Sequence, residues 1–287
     1  MAEDRNVTIV EVGPRDGLQN EKGVISTEDK LELIRLLADA GVRRIEATAF
    51  VSPKWVPQMT DHDAVMRNAV RRPGLLLSAL VPNEKGALAA IAAGAQELAV
   101  FASASETFAQ KNTNCTIAES IERFRPVLTL AREHGLPVRG YVSCAVDCPY
   151  EGAINPAAVR EVAESLVGIG CGEIAVADTI GRARPERVDA MLAAVRQSVL
   201  ADHLACHFHD TSGQALANVD VALGHGVRIF DSAVAGLGGC PYAPGAAGNL
   251  ATRDLVLHLN DRGFRQPVDL EMLALAEALA RQMKASK

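Results

Sequence analysis

The feature that most restricts the fold of this chain is an alternation. Short runs rich in apolar and β-branched residues recur along it, separated by segments with helical apolar spacing. Eight runs stand out: Val7 to Val12, Arg44 to Ala49, Leu75 to Val81, Glu97 to Phe101, Pro137 to Ser143, Glu173 to Ala177, Leu204 to Phe208 and Val227 to Ser232. Their length and residue types are those of strands. Between the first two, Thr27 to Ala40 carries Leu31, Ile34 and Leu37 three apart, one core-facing stripe of a helix. Several helical segments stop at a glycine just ahead of the next strand, at Ala40-Gly41, Ala93-Gly94, His134-Gly135, Ile169-Gly170 and His225-Gly226. A left-handed C-cap favours a residue without a Cβ at such a position.

Eight strand-helix units predict an α/β protein of the closed TIM (β/α)8 type rather than an open doubly wound sheet. The length agrees, since 287 residues that are 48% apolar suffice for one barrel-sized core. No glycine-rich dinucleotide fingerprint follows the first strand, and no Pro/Ser-rich linker divides the chain. Residues 1–287 therefore read as a single catalytic domain, with Leu270 to Lys287 as an additional amphipathic C-terminal helix on the barrel exterior.

Charge and cysteine usage narrow the partners. A formal charge of -6 without a basic cluster argues against nucleic acid, whose phosphates need a concentrated cationic face. The polar start, Met1 to Asn6, lacks the apolar core of a signal peptide, and no later run is long enough to span a bilayer. The expectation is a soluble, unprocessed protein with no membrane partner. Cys115, Cys144, Cys148, Cys171, Cys206 and Cys240 show neither paired zinc spacing nor the density of a secreted scaffold, which suits a reducing cytoplasm.

In a TIM barrel the reactive groups sit at the C-terminal ends of the strands. There the first run leads into Gly13-Pro14-Arg15-Asp16-Gly17, the second carries Glu46, the sixth ends at Asp178-Thr179, and the seventh ends in His207-Phe208-His209-Asp210. Two histidines two apart on a strand face one way and can offer both imidazoles to one ion. A hydrogen-bonded core histidine beside a surface one is the equal alternative. Asp16 lies close to the seventh strand in a closed barrel and can complete a mixed oxygen and nitrogen site for Mg²⁺ or Mn²⁺, or it can be a simple turn or cap residue. Arg15 can stabilise an enolate oxygen or pair with Glu46 or Asp178. The glycine-rich run Ala235 to Tyr242 holds Cys240, and it reads as a gating loop with a general acid, an anion-binding nest, or a flexible turn.

Longer strings carry a resemblance. Val12 to Glu21, Phe50 to Met59 and Val234 to Tyr242 resemble the 3-hydroxy-3-methylglutaryl-CoA lyase family of the DRE-TIM metallolyases, supported by Gly140 to Cys144 and Gly213 to Asn218. The likeness runs from about Val7 to beyond Asp254. It implies that Asp16, His207, His209 and Asn249 ligate a divalent cation, that Arg15 contacts the substrate together with Tyr141 and Thr179, and that Cys240 is the active-site thiol. It also implies retro-Claisen cleavage of an acyl-CoA substrate to acetyl-CoA and acetoacetate, with His207 or Asp178 assisting proton removal. It further implies that Glu46 orients Arg15 or a metal water, that the assembly is a homodimer, and that the reaction belongs to leucine degradation and ketone-body formation. A longer-chain 3-hydroxy-3-alkylglutaryl-CoA, or a condensing synthase or aldolase of the superfamily, are the alternative readings. Lys22, Lys54 and Lys111 are candidate phosphate partners, although lysines are commonly just solvated. The chain departs from the family pattern at Phe208, Ser212 and Arg253.

Overall fold

All eight expected runs are strands. In the computed structural model, which describes residues 5–21, 23, 25–238 and 248–285, they are β1 (Thr8–Glu11), β2 (Arg44–Ala49), β3 (Leu76–Leu80), β4 (Glu97–Ser103) and β5 (Val138–Ser143), then, after a small hairpin of β6 (Asp147–Cys148) and β7 (Gly152–Ala153), β8 (Glu173–Asp178), β9 (Leu204–Phe208) and β10 (Ile229–Ser232). Parallel pairing closes them in the order β1-β10-β9-β8-β5-β4-β3-β2, with Thr8 beside Ile229 and Val10 beside Arg44 where the first strand joins its two neighbours. The hairpin was not expected, because two-residue strands leave no alternation to read.

The helices are α1 (Thr27–Asp39), α2 (His62–Asn68), α3 (Glu84–Ala92), α4 (Glu106–Thr113), α5 (Ile117–Glu133), α6 (Pro156–Ile169), α7 (Pro185–Val195), α8 (Ala215–Gly224), α9 (Thr252–Asp261) and α10 (Leu270–Ala285). Local chemistry sets their ends. Ser26, Asn83, Ser105 and Asn155 each accept a backbone N–H at a helix start, and Thr116 with Glu119 forms a reciprocal capping box. Gly41, Gly94, Gly135, Gly170 and Gly226 all have positive φ, as their positions ahead of strands predicted. Gly41 shows the requirement most sharply: at φ +92° a Cβ would lie 2.3 Å from the Pro267 carbonyl oxygen. That close approach lets the chain before α10 lie against the end of α1, where Asp269 N donates to Ala40 O. Arg253 also holds α10, with its Nε 2.9 Å from Glu277 Oε1, so the basic residue at this position has found an acidic partner one helix away.

The apolar core lies between the strands and the surrounding helices. Inside the ring the residues are charged. Arg44 Nη1 meets Glu173 Oε2 at 2.8 Å and Arg44 Nη2 meets Glu97 Oε1 at 3.0 Å. Arg139 Nε lies 2.9 Å from Glu173 Oε1, and Arg139 Nη2 lies 2.6 Å from Asp231 Oδ1. These pairs join β2 to β4 and β8, and β5 to β8 and β10, and of these only β5 and β8 are hydrogen-bonded neighbours. Such contacts can form only across the barrel interior. Among the described residues no helix is long and apolar enough to cross a membrane.

A second buried carboxylate ties the strand ends to the loops above them. Glu11 Oε1 accepts from Gly13 N at 2.8 Å and Val234 N at 2.9 Å, and Oε2 accepts from Thr252 Oγ1 at 2.7 Å. Burial pushes the Glu11 carboxyl up to about 7 from an ordinary 4.5, against the lowering effect of those three bonds. A carboxyl that holds its proton more tightly when folded loses stability as pH rises through that interval. Glu11→Gln, neutral at all pH, should shrink the fall in urea-unfolding free energy between pH 5 and pH 8 by on the order of 2 kcal/mol. An unchanged fall would mean that Glu11 titrates as an ordinary carboxyl.

Candidate active site

The site grows from the ends of five strands. β1 runs directly into a tight helical turn, Gly13–Gly17, which places Arg15 and Asp16 side by side at the barrel mouth. Arg15 is 6% exposed and held by two carboxylates: Nε and Nη2 donate to Glu46 Oε2 at 2.9 and 2.7 Å, and Nη1 donates to Asp16 Oδ1 at 2.7 Å. Its guanidinium carbon also sits 5.7 Å from the centre of the Tyr141 ring. Tyr141 on β5 donates to the same Glu46 oxygen at 3.2 Å and accepts from Arg139 Nη1 at 3.2 Å. Glu46 Oε1 is buried with no hydrogen-bond partner among the described residues, leaving one acceptor beside the arginine.

On the other side of the mouth, His207 and His209 project the same way from β9 and its continuation, with ring centres 5.1 Å apart, while Phe208 between them turns into the core. Nδ1 of His207 pairs with Asp231 Oδ2 at 3.0 Å, and Nδ1 of His209 pairs with the Asp178 carbonyl at 3.0 Å. Among the described residues, each ring therefore keeps Nε2 as its free nitrogen. One donor atom from Asp16, one from His207 and one from His209 lie within 4.8 Å of one another. Asn249 stands next to them: it bridges to His209 through its backbone, and its Nδ2 donates to Asp16 Oδ2 at 2.8 Å and to Leu237 O at 3.0 Å.

Electrostatics suit a cation. Burial would raise the Asp16 carboxyl, but Arg15, His207 and His209 hold it below the usual carboxylate range, so it is ionised. Burial and the neighbouring His207 press His209 down to about 4, leaving a neutral imidazole. For His207 burial also lowers, but the bond and charge of Asp231 and the charge of Asp16 outweigh it and leave the ring raised. An anionic oxygen and two nitrogen donors whose far nitrogens are already tied off match the donor set of a divalent cation.

These groups line a cavity of about 610 Å³ that receives Arg15, Asp16, Tyr141, Thr179, His207 and His209 from the predicted set. Glu46 stands behind Arg15, and Asn249 beside Asp16. Asp178 does not join them. Its Oδ1 accepts from Arg182 N at 3.2 Å and its Oδ2 from Ala183 N at 3.0 Å, so the carboxylate folds the loop after β8 and reaches the site only through its backbone carbonyl. Burial lifts it to about 6, against those backbone bonds. Asp178, expected to share in proton removal, is not among the residues that line the cavity. Thr179 Oγ1 accepts from Cys144 N at 2.7 Å, which fixes its hydroxyl at the wall. Cys240 lies outside the described residues. Two residues that contact this set were not singled out in the sequence, Asp231 against His207 and Arg139 against Tyr141, although charged residues inside otherwise apolar strands were the signal that could have found them.

A (β/α)8 barrel whose mouth gathers a carboxylate, two imidazoles and a pinned arginine defines a barrel enzyme with a site for a divalent cation. The family model described as HMGL-like matches residues 6–279, and the chain belongs to that family. The mitochondrial hydroxymethylglutaryl-CoA lyase of Bos taurus is 55% identical over 274 residues, 96% of this chain and 84% of the bovine one. Among solved structures, the HMG-CoA lyase of Brucella melitensis superimposes with a TM-score of 0.97 at 52% identity, covering 98% of this chain and 100% of that one. An HMG-CoA lyase from Acinetobacter baumannii, solved with coenzyme A and 3-methylmalate, gives 0.93 at 36% identity over 99% of this chain and 93% of its own.

Replacing Asp16 by Asn removes the only anionic donor of the cluster. Mn²⁺ titration followed by electron paramagnetic resonance should show binding weakened by more than about 100-fold, beyond the loss typical of residues that only support a ligand. Equal affinity would place the ion elsewhere.

Proposed function

We propose that this chain is a carbon-carbon lyase that cleaves (S)-3-hydroxy-3-methylglutaryl-CoA to acetyl-CoA and acetoacetate, as its hydroxymethylglutaryl-CoA lyase relatives suggest. The observation that carries this reading is the Asp16, His207 and His209 cluster standing beside Arg15 in one cavity. Asp16, His207 and His209, with Asn249, would hold the ion, Mg²⁺ or Mn²⁺, which would supply Lewis-acid polarisation of the substrate.

The chain's own residues do the rest. As the C3 hydroxyl gives its proton to solvent and the C2–C3 bond breaks, negative charge builds on the thioester oxygen, and Arg15 answers it with a guanidinium already immobilised by Glu46 and Asp16. Because that geometry exists before substrate arrives, little reorganisation is needed at the transition state. Tyr141 braces Glu46 from the far side. Proton return to the new carbanion falls to Cys240, two residues beyond Gly238; a Cβ at Gly238 would stand 3.4 Å from the Asp16 carbonyl oxygen. Farther out, Lys111 and Arg123 border the same cavity and offer cations to the phosphates of coenzyme A, with the exposed Trp55 ring nearby. The working assembly is a homodimer, and the reaction serves leucine degradation and ketone-body formation.

Incubation with 3-hydroxy-3-methylglutaryl-CoA and Mg²⁺ or Mn²⁺ should yield acetyl-CoA and acetoacetate in equal amounts, and chelator should abolish both. Absence of products with every divalent metal would sink this reading in favour of a longer acyl chain or a condensing reaction. Arg15→Lys keeps the charge but loses the forked contact with Glu46; kcat should fall on the order of 100-fold with a smaller change in KM. A KM effect alone would make Arg15 a binding residue only.

A further inference from the structure

Asp231 and Arg139 belong to no substrate contact described above, yet both are almost wholly buried at the centre of the barrel. Asp231 is 1% exposed and Arg139 2%. The register places Asp231 of β10 directly beside His207 of β9, so the carboxylate and the imidazole face each other across one parallel pair. Each carboxylate oxygen has its own partner: Oδ2 takes His207 Nδ1 at 3.0 Å and Oδ1 takes Arg139 Nη2 at 2.6 Å. Arg139 is itself fixed, by Glu173 at 2.9 Å from Nε and by the Tyr141 hydroxyl at 3.2 Å from Nη1.

We propose that Asp231, clamped by Arg139, is a positioning residue of the cation site: it accepts the Nδ1 proton of His207 as a hydrogen bond and so turns Nε2 toward Asp16 and His209. A neutral imidazole carries one N–H, and the nitrogen that bears it cannot bind a metal. Placing an ionised acceptor at Nδ1 selects the tautomer that leaves Nε2 free. A carboxylate this deeply buried would not stay ionised without a counter-charge, and Arg139 provides one at hydrogen-bond distance. The same guanidinium reaches Tyr141, which braces Glu46 and through it Arg15. One buried arginine thus registers both the ligand side and the arginine side of the cavity. This role also takes both ring nitrogens of His207, one by Asp231 and one by the cation, and leaves it none with which to act as a base.

The inference rests on the cation-binding reading of the cluster, and the test separates the two. Mn²⁺ affinity is measured by electron paramagnetic resonance for the wild-type chain and for Asp231→Asn, which keeps the shape but removes the charge. The wild type should bind, and the variant should bind about 10- to 100-fold more weakly. Long-range nitrogen–proton spectra of the histidine-labelled, Mg²⁺-loaded wild type should show the His207 proton on Nδ1, a readout that needs no variant to fold. Equal Mn²⁺ affinity in a folded Asp231→Asn, or a His207 proton on Nε2, would overturn the positioning role alone. A wild-type protein that bound no Mn²⁺ would overturn the cation site and this role with it.

Discussion

The arrangement depends on the ion pair between Arg139 and Asp231 at the barrel axis. TIM barrels commonly fill their interior with layers of branched apolar side chains. Here Arg44, Glu97, Glu173, Arg139 and Asp231 cross it as a connected line of charges. Desolvating such groups is costly, and an apolar interior of equal volume could be as stable or more so. The line is tolerable because each charge meets an opposite one at 2.6 to 3.0 Å. It ends on a functional group: Asp231 hands its second oxygen to His207. Removing one member would strand the next, which typically costs about 3 to 5 kcal/mol for a buried pair. The barrel floor and the site at its mouth are therefore parts of one electrostatic structure.

Above that line, strands supply the rigid partners and loops complete them. His207 and His209 inherit their common direction from strand geometry, and Glu46 and Tyr141 come from strands as well. Arg15 and Asp16 sit on a turn, but the turn is held from below, because Glu11 binds Gly13 N and Val234 N with one oxygen. That oxygen lies where a side chain at Gly13 would be, 2.6 Å from the Cβ position, so the glycine is required by the clamp itself. Loops that must keep a charged residue to within a fraction of an ångström are here nailed to the strand ends by a single buried carboxylate.

This division explains what could be read from the sequence. The eight strands and the glycine caps were legible because period and punctuation are local signals carried by neighbouring residues. Arg15, Asp16, His207 and His209 were legible because the fold sends strand ends to one mouth. Asp231 and Arg139 were not, since they lie 92 positions apart and their meeting depends on how strands lean across a closed ring. Asp178 shows the opposite case. Its place at a strand end suggested chemistry, but the two backbone N–H groups of the next turn were nearer claimants for its oxygens. The hairpin between β5 and α6 was invisible for a third reason, two-residue strands having no period at all.

The departures at Phe208 and Arg253 fall where the structure can absorb them. Alternation along β9 turns Phe208 away from the cavity into apolar packing, so its identity bears on the helix layer and leaves the imidazoles on either side in place. Arg253 finds Glu277 and the Leu270 carbonyl on α10. It follows Asn249 by only one helical turn, yet its charge is spent outward, away from Asp16. The neighbours of Asn249 are stricter. Gly238 has φ +94°, and a Cβ there would press within 2.6 Å of Asn249 Nδ2, the atom that reaches Asp16. Gly238 thus lies against the Asp16 backbone, where a Cβ would stand 3.4 Å from its carbonyl oxygen, while Asn249 reaches the carboxylate of the same residue, so the two positions flank Asp16 from its main chain and its side chain.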